Sequence, residues 1–284
     1  MALQNGPQFS RFAFKVLAFG RMVRPKKFLG QHFLNDINIA SKIVSGLDLP
    51  RDAKSHVLEI GPGMGVLTRL LLQRNDLDLS VVEIDFESVE YLKKQFPELS
   101  GKIFEEDFLE MDIAAKLQFP FHIIGNFPYN ISSQIFFKVL ENRNRVDQVV
   151  CMLQKEVADR ICSKHGNKVY GILSVLLQAF YDIEYLFKVN PGVFNPPPKV
   201  MSAVIRLKRN AKKELDCDEK LFQHVVKQAF QKRRKTLRNA LKHLNLPASV
   251  DAMDLMDKRP EQLSVEDFIS LTRAIEKDEG VRRI

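Results

Sequence analysis

The chain lacks what a membrane protein, a disulfide-stapled protein and a metalloenzyme would each need. None of its 284 residues fall in an apolar run long enough to cross a bilayer, which takes about 20 residues. Its 3 cysteines, Cys151, Cys162 and Cys217, lack metal-ligand spacing and do not read as a disulfide framework. They read as small apolar residues in a reducing, cytoplasmic setting. The 6 histidines are scattered, and no nucleophile–base pair stands out. There is no internal repeat and no low-complexity tract.

Acidic residues are missing from residues 1–35, which hold 6 Lys/Arg. Residues 206–242 hold 13 Lys/Arg against 4 Asp/Glu. Between these basic ends, residues 36–205 carry a balance of about −4, and residues 243–284 carry −3, within a net +8. Two basic segments flanking a mildly acidic body suggest a polyanion held beside a site. A basic run is usually only a solvated helix face. Here Phe230, Leu237 and Leu241 interleave it at helical spacing. The pattern predicts one helix with a packed face that presents Arg233, Arg234, Lys235 and Arg238 to phosphates.

Most of the chain alternates strand and helix signals, as a mostly parallel sheet with helices on both faces requires. Ile37 to Leu47 reads as an amphipathic helix introduced by Asn35-Asp36. Asn210 to Lys220 is charged and without apolar period, and Leu221 to Glu276 is helical in pattern. The predicted organisation is a Rossmann-like α/β domain over residues 22–207 and a small helical domain over residues 208–284. Residues 1–21, basic and acid-free, read as an extension, either non-native, disordered or transit-like.

The chemistry-bearing motifs sit at strand ends, where open α/β sheets place their sites. Val57-Leu58-Glu59-Ile60 reads as a strand, followed by Gly61-Pro62-Gly63-Met64-Gly65 and then a helix. The turn is G-x-G-x-G, not the G-x-G-x-x-G of dinucleotide sites. Glu83 ends the next strand, about twenty residues on, where a carboxylate takes ribose hydroxyls. Asp107 ends a third. Asn126-Phe127-Pro128-Tyr129 ends a fourth, after the apolar run Phe121 to Gly125. An Asn oxygen with a neighbouring carbonyl accepts hydrogen bonds from an exocyclic amine, and an aromatic ring stacks on its base. Taken singly, a glycine turn only permits a tight bend, and Glu83 or Asp107 alone would be a solvated charge or a helix cap. The set in order carries the reading.

Together these motifs resemble the small-subunit ribosomal RNA adenine dimethyltransferase family of the KsgA type. Its relatives include the erythromycin-resistance rRNA methylases and the mitochondrial transcription factor B proteins. The resemblance runs from about Lys26 to the C-terminus. It takes in Lys27 to Leu34, the strand-end motifs, the proline-rich Val193 to Val204 and the basic Phe230 to Asn239. His32 departs from a usual Asn, and Phe127 from a usual Leu.

The resemblance implies S-adenosylmethionine as methyl donor, with Gln31, His32, Leu34, Gly61, Gly63, Glu83, Ile84, Asp107, Phe108 and Asn126 as its contacts. It implies Asn126, Pro128 and Tyr129 as catalytic groups. Phe127, Tyr129 and Phe194 would meet the target base, with Tyr129 and Phe194 sandwiching it; core packing is the competing role for Phe194. Arg233, Arg234, Lys235 and Arg238 would meet RNA. The implied reaction places two methyls on N6 of each of two adjacent adenosines near the 3′ end of 16S rRNA in the small ribosomal subunit. The implied enzyme is a cytoplasmic monomer without metal or membrane partner. Two other readings stay open: the same chemistry on large-subunit rRNA or DNA, and an assembly or transcription factor whose binding outweighs its catalysis. A dehydrogenase is disfavoured by the glycine spacing.

Overall fold

A computed structural model of the chain describes residues 23–50, 53–117 and 120–277; the extension expected over residues 1–21 lies outside them. Nine strands are described: β1 Phe33–Leu34, β2 Ser55–Ile60, β3 Leu77–Val82, β4 Ile103–Phe104, β5 Phe121–Asn126, β6 Val146–Gln154, β7 Tyr181–Val189, β8 Phe194–Asn195 and β9 Ser202–Arg209. The helices are α1 Ile37–Val44, α2 Val66–Leu71, α3 Phe86–Gln95, α4 Ile113–Lys116, α5 Ser132–Glu141, α6 Lys155–Cys162, α7 Ile172–Gln178, α8 Glu219–Gln231, α9 Leu237–Ala240, α10 Ala248–Asp251 and α11 Val265–Glu276. This is the Rossmann-like α/β architecture expected.

Seven strands form one sheet in the order β4-β3-β2-β5-β6-β9-β7. The chain builds outward from β2 to β3 and β4, then returns to place β5 on the other side of β2. The strand order therefore reverses between β2 and β5, and a crevice opens there at the strands' carboxyl ends. The glycine turn after β2 and Asn126 at the end of β5 flank that crevice.

The central strands β5 and β6 are buried at nearly every position because both faces are covered. On β6, Val149, Cys151 and Leu153 face one apolar cluster, while Val150 and Met152 face the other. The first cluster includes residues of α5 and α7 and continues through Phe222, Val226, Leu237, Phe268 and Leu271 of the C-terminal helices. The second includes residues of α1, α2 and α3. α1 starts where expected, with the Asp36 side chain accepting from the Asn38 and Ile39 N–H groups. That satisfies two of the donors a helix start leaves unpaired.

Two features were not visible in the pattern. β9 is antiparallel to both β6 and β7, because a short proline-rich connection cannot cross over to a parallel position. Within that connection β8 pairs antiparallel with β1, Phe33 opposite Asn195 and Leu34 opposite Phe194. This small ribbon ties the segment before α1 to the proline-rich loop.

Since Phe268 is fully buried and its ring lies 6.0 Å from that of Phe230, truncation there opens a cavity in the larger cluster. Phe268→Ala should cost about 3–5 kcal/mol, read as a lower urea midpoint. A cost under about 1 kcal/mol would show that the C-terminal helices do not share that core.

Candidate active site

One cleft collects most of the motif residues. It is lined by Leu29 to Phe33, by Ile60, Gly61 and Gly63 after β2, and by Val82 to Ile84 after β3. Glu106 to Phe108 after β4 and Asn126 to Ile131 after β5 complete it. Its volume is about 880 Å³ including space open to solvent.

The glycine turn forms one wall. Gly61 has φ +64°, in the left-handed region, and a Cβ built on it would meet no atom within 4 Å. Backbone is bared to open space there, the surface a ligand can approach closely. At Gly63 a Cβ would lie 2.8 Å from the Phe33 ring, so this glycine makes room for the segment crossing above it.

The carboxylates are held in different states. Glu83 is buried and accepts from the Gly63 N–H at 3.1 Å and the Asp85 N–H at 2.9 Å. Burial pushes its carboxyl above the ordinary range, and these donors oppose the shift only in part. Glu59, 1 % exposed, accepts from the Thr68 hydroxyl at 2.6 Å. Burial, with the Glu83 charge adding to it, pushes its carboxyl up to about 8. Asp85 goes the other way. Burial acts to raise it, but hydrogen bonds from Lys26, Ser88 and Gln31 outweigh that and hold it below the usual range. Lys26 reaches Glu87 as well. The Lys26–Asp85 pair anchors the segment from Lys26 to Leu34 beside β3. Asp107 uses one oxygen to accept from the Leu109 N–H at 2.8 Å, a local turn bond that leaves its second oxygen for the cleft.

Asn126 is oriented across the crevice. Its Nδ2 donates to the His32 carbonyl at 2.9 Å, which identifies Oδ1 as the free acceptor of the amide. Tyr129 follows on a turn. Its hydroxyl bonds Ser202, and its ring packs on the His32 imidazole with centroids 5.3 Å apart and planes 29° apart. Burial holds its phenol above the ordinary value, so it stays neutral. Phe127 is 1 % exposed and packs edge-on to Phe136 at 5.9 Å, forming the cleft floor. Ile84 is 53 % exposed at the rim. Phe108 closes the inner wall.

Several expected residues stand elsewhere. Leu34 is buried in the ribbon and lines a smaller adjoining recess with Glu59 and Asn126. Phe194 is 4 % exposed, belongs to the core cluster with Leu34 and is not among the cleft-lining residues. The expected Tyr129–Phe194 sandwich is therefore not formed; pairing with β1 turns Phe194 into the core. The expected continuous basic helix is also interrupted. α8 ends at Gln231 and α9 begins at Leu237, with Lys232 to Lys235 in a turn. The Leu237 N–H donates to the Lys258 carbonyl instead of continuing the helix. Arg238 is occupied within the chain, by Asp257 and by the Asp251 carbonyl. Arg233, Arg234 and Lys235 have no ion-pair partner among the described residues, Arg234 and Lys235 being exposed and Arg233 half-buried.

The motif reading passed over other contributors. Glu106, Asn130 and Ile131 line the cleft, and Ser202 and Lys26 hold residues that do. Backbone bonds from Leu237 to Lys258 and from Gly166 to Glu261 bring exposed Lys164, Lys168, Lys258 and Arg259 toward the basic turn. These cations come singly or as the pair Lys258-Arg259, so no longer basic run announces them.

Known proteins share this arrangement. A family model described as ribosomal RNA adenine dimethylase matches residues 22–277. The ribosomal RNA small subunit methyltransferase A of Parabacteroides distasonis is 56% identical over 258 residues, covering 90% of this chain and 96% of that protein. Its counterpart in Cytophaga hutchinsonii is 58% identical over 253 residues, covering 89% and 98%. Among solved structures, a dimethyladenosine transferase from Plasmodium falciparum is similar with TM-score 0.73 at 25% identity, covering 88% of this chain and 99% of that one. The 23S rRNA methyltransferase ErmE is similar with TM-score 0.63 at 26% identity, covering 85% and 99%.

The raised carboxyl of Glu59 has a consequence for stability. A group whose folded pKa lies above its unfolded value stabilises the fold fully below the unfolded value of 4.5 and loses that contribution as pH rises through about 8. Wild-type Tm should fall between pH 6 and pH 9. Glu59→Gln should fall less steeply, keeping only the share due to Glu83. Parallel curves would mean that Glu59 ionises normally.

Proposed function

The chain belongs to the ribosomal RNA adenine dimethylase family, and on that premise we propose that it methylates N6 of two adjacent adenosines near the 3′ end of 16S rRNA in small ribosomal subunits. The product of the proposed reaction is N6,N6-dimethyladenosine, and the methyl donor is S-adenosylmethionine. The observation that carries this is the Asn126 amide, held by the His32 carbonyl with its oxygen free at the edge of a cleft.

The residues suit the donor. Gly61 bares backbone toward open space, Glu83 offers a carboxylate for ribose hydroxyls, and Asp107 offers one for an adenine amine. Ile84 and Phe108 supply apolar surfaces for the ring between them, and Gln31 and His32 stand on the segment bordering the other end. S-adenosylmethionine, when bound, supplies a methyl already activated on a sulfonium.

The chain's own residues then have a positioning task. An adenine N6 amine is a weak nucleophile because its lone pair is delocalised into the ring. The Asn126 oxygen and the Pro128 carbonyl accept its hydrogens, favour a pyramidal nitrogen and aim the lone pair. These acceptors strengthen as positive charge develops on nitrogen, which lowers the barrier itself. Orientation does the rest. The target base leaves its stack to enter, with Tyr129 as its aromatic support.

The small-subunit reading is favoured over a large-subunit one by similarity. Relatives above 50% identity carry the small-subunit name, while ErmE shares 26%. The Asn126 motif argues against an assembly factor without catalysis, although the two roles can coexist. The basic turn at Arg233 to Lys235 is the candidate phosphate contact, and Arg238 is withdrawn from that role by its ion pair with Asp257.

Two experiments test this. Asn126→Ala should lower kcat by about 10²-fold or more while S-adenosylmethionine affinity changes little, and Asn126→Asp should keep part of the rate because it keeps an acceptor. Mass spectrometry of small-subunit rRNA should show dimethyladenosine with the wild type. Normal turnover by Asn126→Ala, or monomethyladenosine alone at saturation, would sink the mechanism.

The second experiment concerns RNA binding. Arg233→Glu with Arg234→Glu should weaken it and flatten its salt dependence by about one unit of slope per lost phosphate contact, whereas Arg238→Ala should leave the slope unchanged. An unchanged slope in the double variant would make the turn a solvated surface.

A further inference from the structure

We propose that Val200 and Met201, at the end of the proline-rich loop, form an apolar wedge that fills the gap left in the RNA stack when the target base swings into the cleft. This rests on the methyl-transfer reading above. Among the described residues these two are the one sequence-adjacent pair of exposed large apolar side chains, 45 % and 36 % exposed. Apolar residues scattered singly on a surface are ordinary. An adjacent pair on an anchored loop at the mouth of a cleft is not.

The fold fixes where the pair stands. β9 is antiparallel to β6 and begins at Ser202, opposite Gln154 at the end of β6. β6 is parallel to β5, with Met152 opposite Asn126. Ser202 therefore lies at the sheet edge that carries Asn126, and Val200 and Met201 stand just beyond it. The Ser202 hydroxyl bonds the Tyr129 hydroxyl, so the pair is next in the chain to the residue that holds the aromatic support of the target. The loop cannot fold these side chains away. Phe194 and Pro198 are buried, β8 is held by β1, and the Met201 carbonyl accepts from the Lys155 N–H at 2.9 Å. This anchoring turns Phe194 inward, and Lys199, Val200 and Met201 are what the end of the loop exposes.

A base that leaves its stack bares the flat faces of its neighbours to water. An apolar side chain inserted there restores part of the lost contact. Methionine suits the task, being unbranched and packing well against aromatic rings through its sulfur. Lys199 has no ion-pair partner among the described residues and is placed for a phosphate beside the gap. Two apolar side chains next to a lysine are too small a surface for a protein partner, but they match the space one base vacates.

The double variant Val200→Ala with Met201→Ala tests the wedge, with Met201→Leu as the conservative control. Donor Kd is measured by calorimetry, small-subunit Kd across a salt series, and methyl transfer in a single turnover at saturating small subunits. Donor Kd should stay within about twofold of wild type, as for surface changes away from the cleft, which also reports that the cleft is folded. The single-turnover rate of the double variant should fall roughly 2- to 10-fold, the worth of one sulfur–aromatic contact. A wedge favours the unstacked state and not the first encounter, so the loss appears in rate and not in affinity. The salt slope should be unchanged, since no phosphate contact is removed. Met201→Leu should keep most of the rate. A wild-type rate in the double variant overturns the inference. So does weaker subunit binding with the rate intact, which would make the pair a docking contact to protein or to remote RNA. A wild type that leaves small subunits unmethylated overturns the function proposed, whereas an active wild type with an unresponsive double variant overturns the wedge alone.

Discussion

The cleft depends on one hydrogen bond, from the Asn126 Nδ2 to the His32 carbonyl. A side-chain amide at a strand end has two orientations of nearly equal shape, differing by exchange of oxygen and nitrogen. Only one presents an acceptor to an incoming amine. The His32 carbonyl selects it, because a carbonyl can pair with the nitrogen alone. His32 can do so only because its segment lies across the strand ends, and that segment is pinned at two places. Lys26 pairs with the buried carboxylate of Asp85, and β1 pairs with β8. The orientation of the Asn126 amide thus follows from an ion pair and a ribbon remote from it in sequence. If the segment lifted, the cleft would lose a wall and Asn126 its orientation together.

The electrostatics divide the labour between the cleft and the outside. Glu59, Glu83, Asp85 and Asp107 gather around the strand ends of a chain whose net charge is +8. Such a cluster would repel phosphates but not a neutral nucleobase. The free cations stand elsewhere, in the turn after α8 and on the loops beside it. A polyanion can be held there while one uncharged base enters the acidic cleft. The cluster limits its own repulsion: Asp85 is neutralised by Lys26, and Glu59, with its carboxyl near 8, is largely uncharged near neutral pH.

The sheet and the strand-end carboxylates were legible because each is local. An apolar run followed by Gly61, Glu83, Asp107 or Asn126 declares both the strand and its end. The start of α1 after Asn35-Asp36 was legible for the same reason, and Asp36 is the residue that caps it. What escaped depended on pairings between distant segments. Phe194 was readable as an aromatic beside prolines, but its opposition to Leu34 decides that it faces the core. The spacing of Phe230, Leu237 and Leu241 was read correctly as packing, since Leu237 and Leu241 are buried. The break between them comes from the Lys258 carbonyl taking the Leu237 N–H, about twenty positions away in sequence. Arg238 looked like its basic neighbours until Asp257 was placed beside it.

The cleft also differs in stiffness from wall to wall, which bears on a reaction that must accept a second methyl. Phe127 forms the floor and is locked in the core against Phe136; moving it would disturb packing shared with the sheet, and close-packed interiors resist that. The opposite wall is Tyr129, with His32 and the proline-rich loop, held by hydroxyl, imidazole and carbonyl bonds at partly exposed positions. Such bonds contribute about 1 kcal/mol each net and can exchange with water. In the proposed reaction, room for a monomethylated amine would come from the polar wall yielding, while the floor and the Asn126 amide would keep the nitrogen in place. A Phe127 bulkier than the Leu usual in the resembling family would make that floor tighter and shift more of the accommodation onto Tyr129 and the residues that hold it.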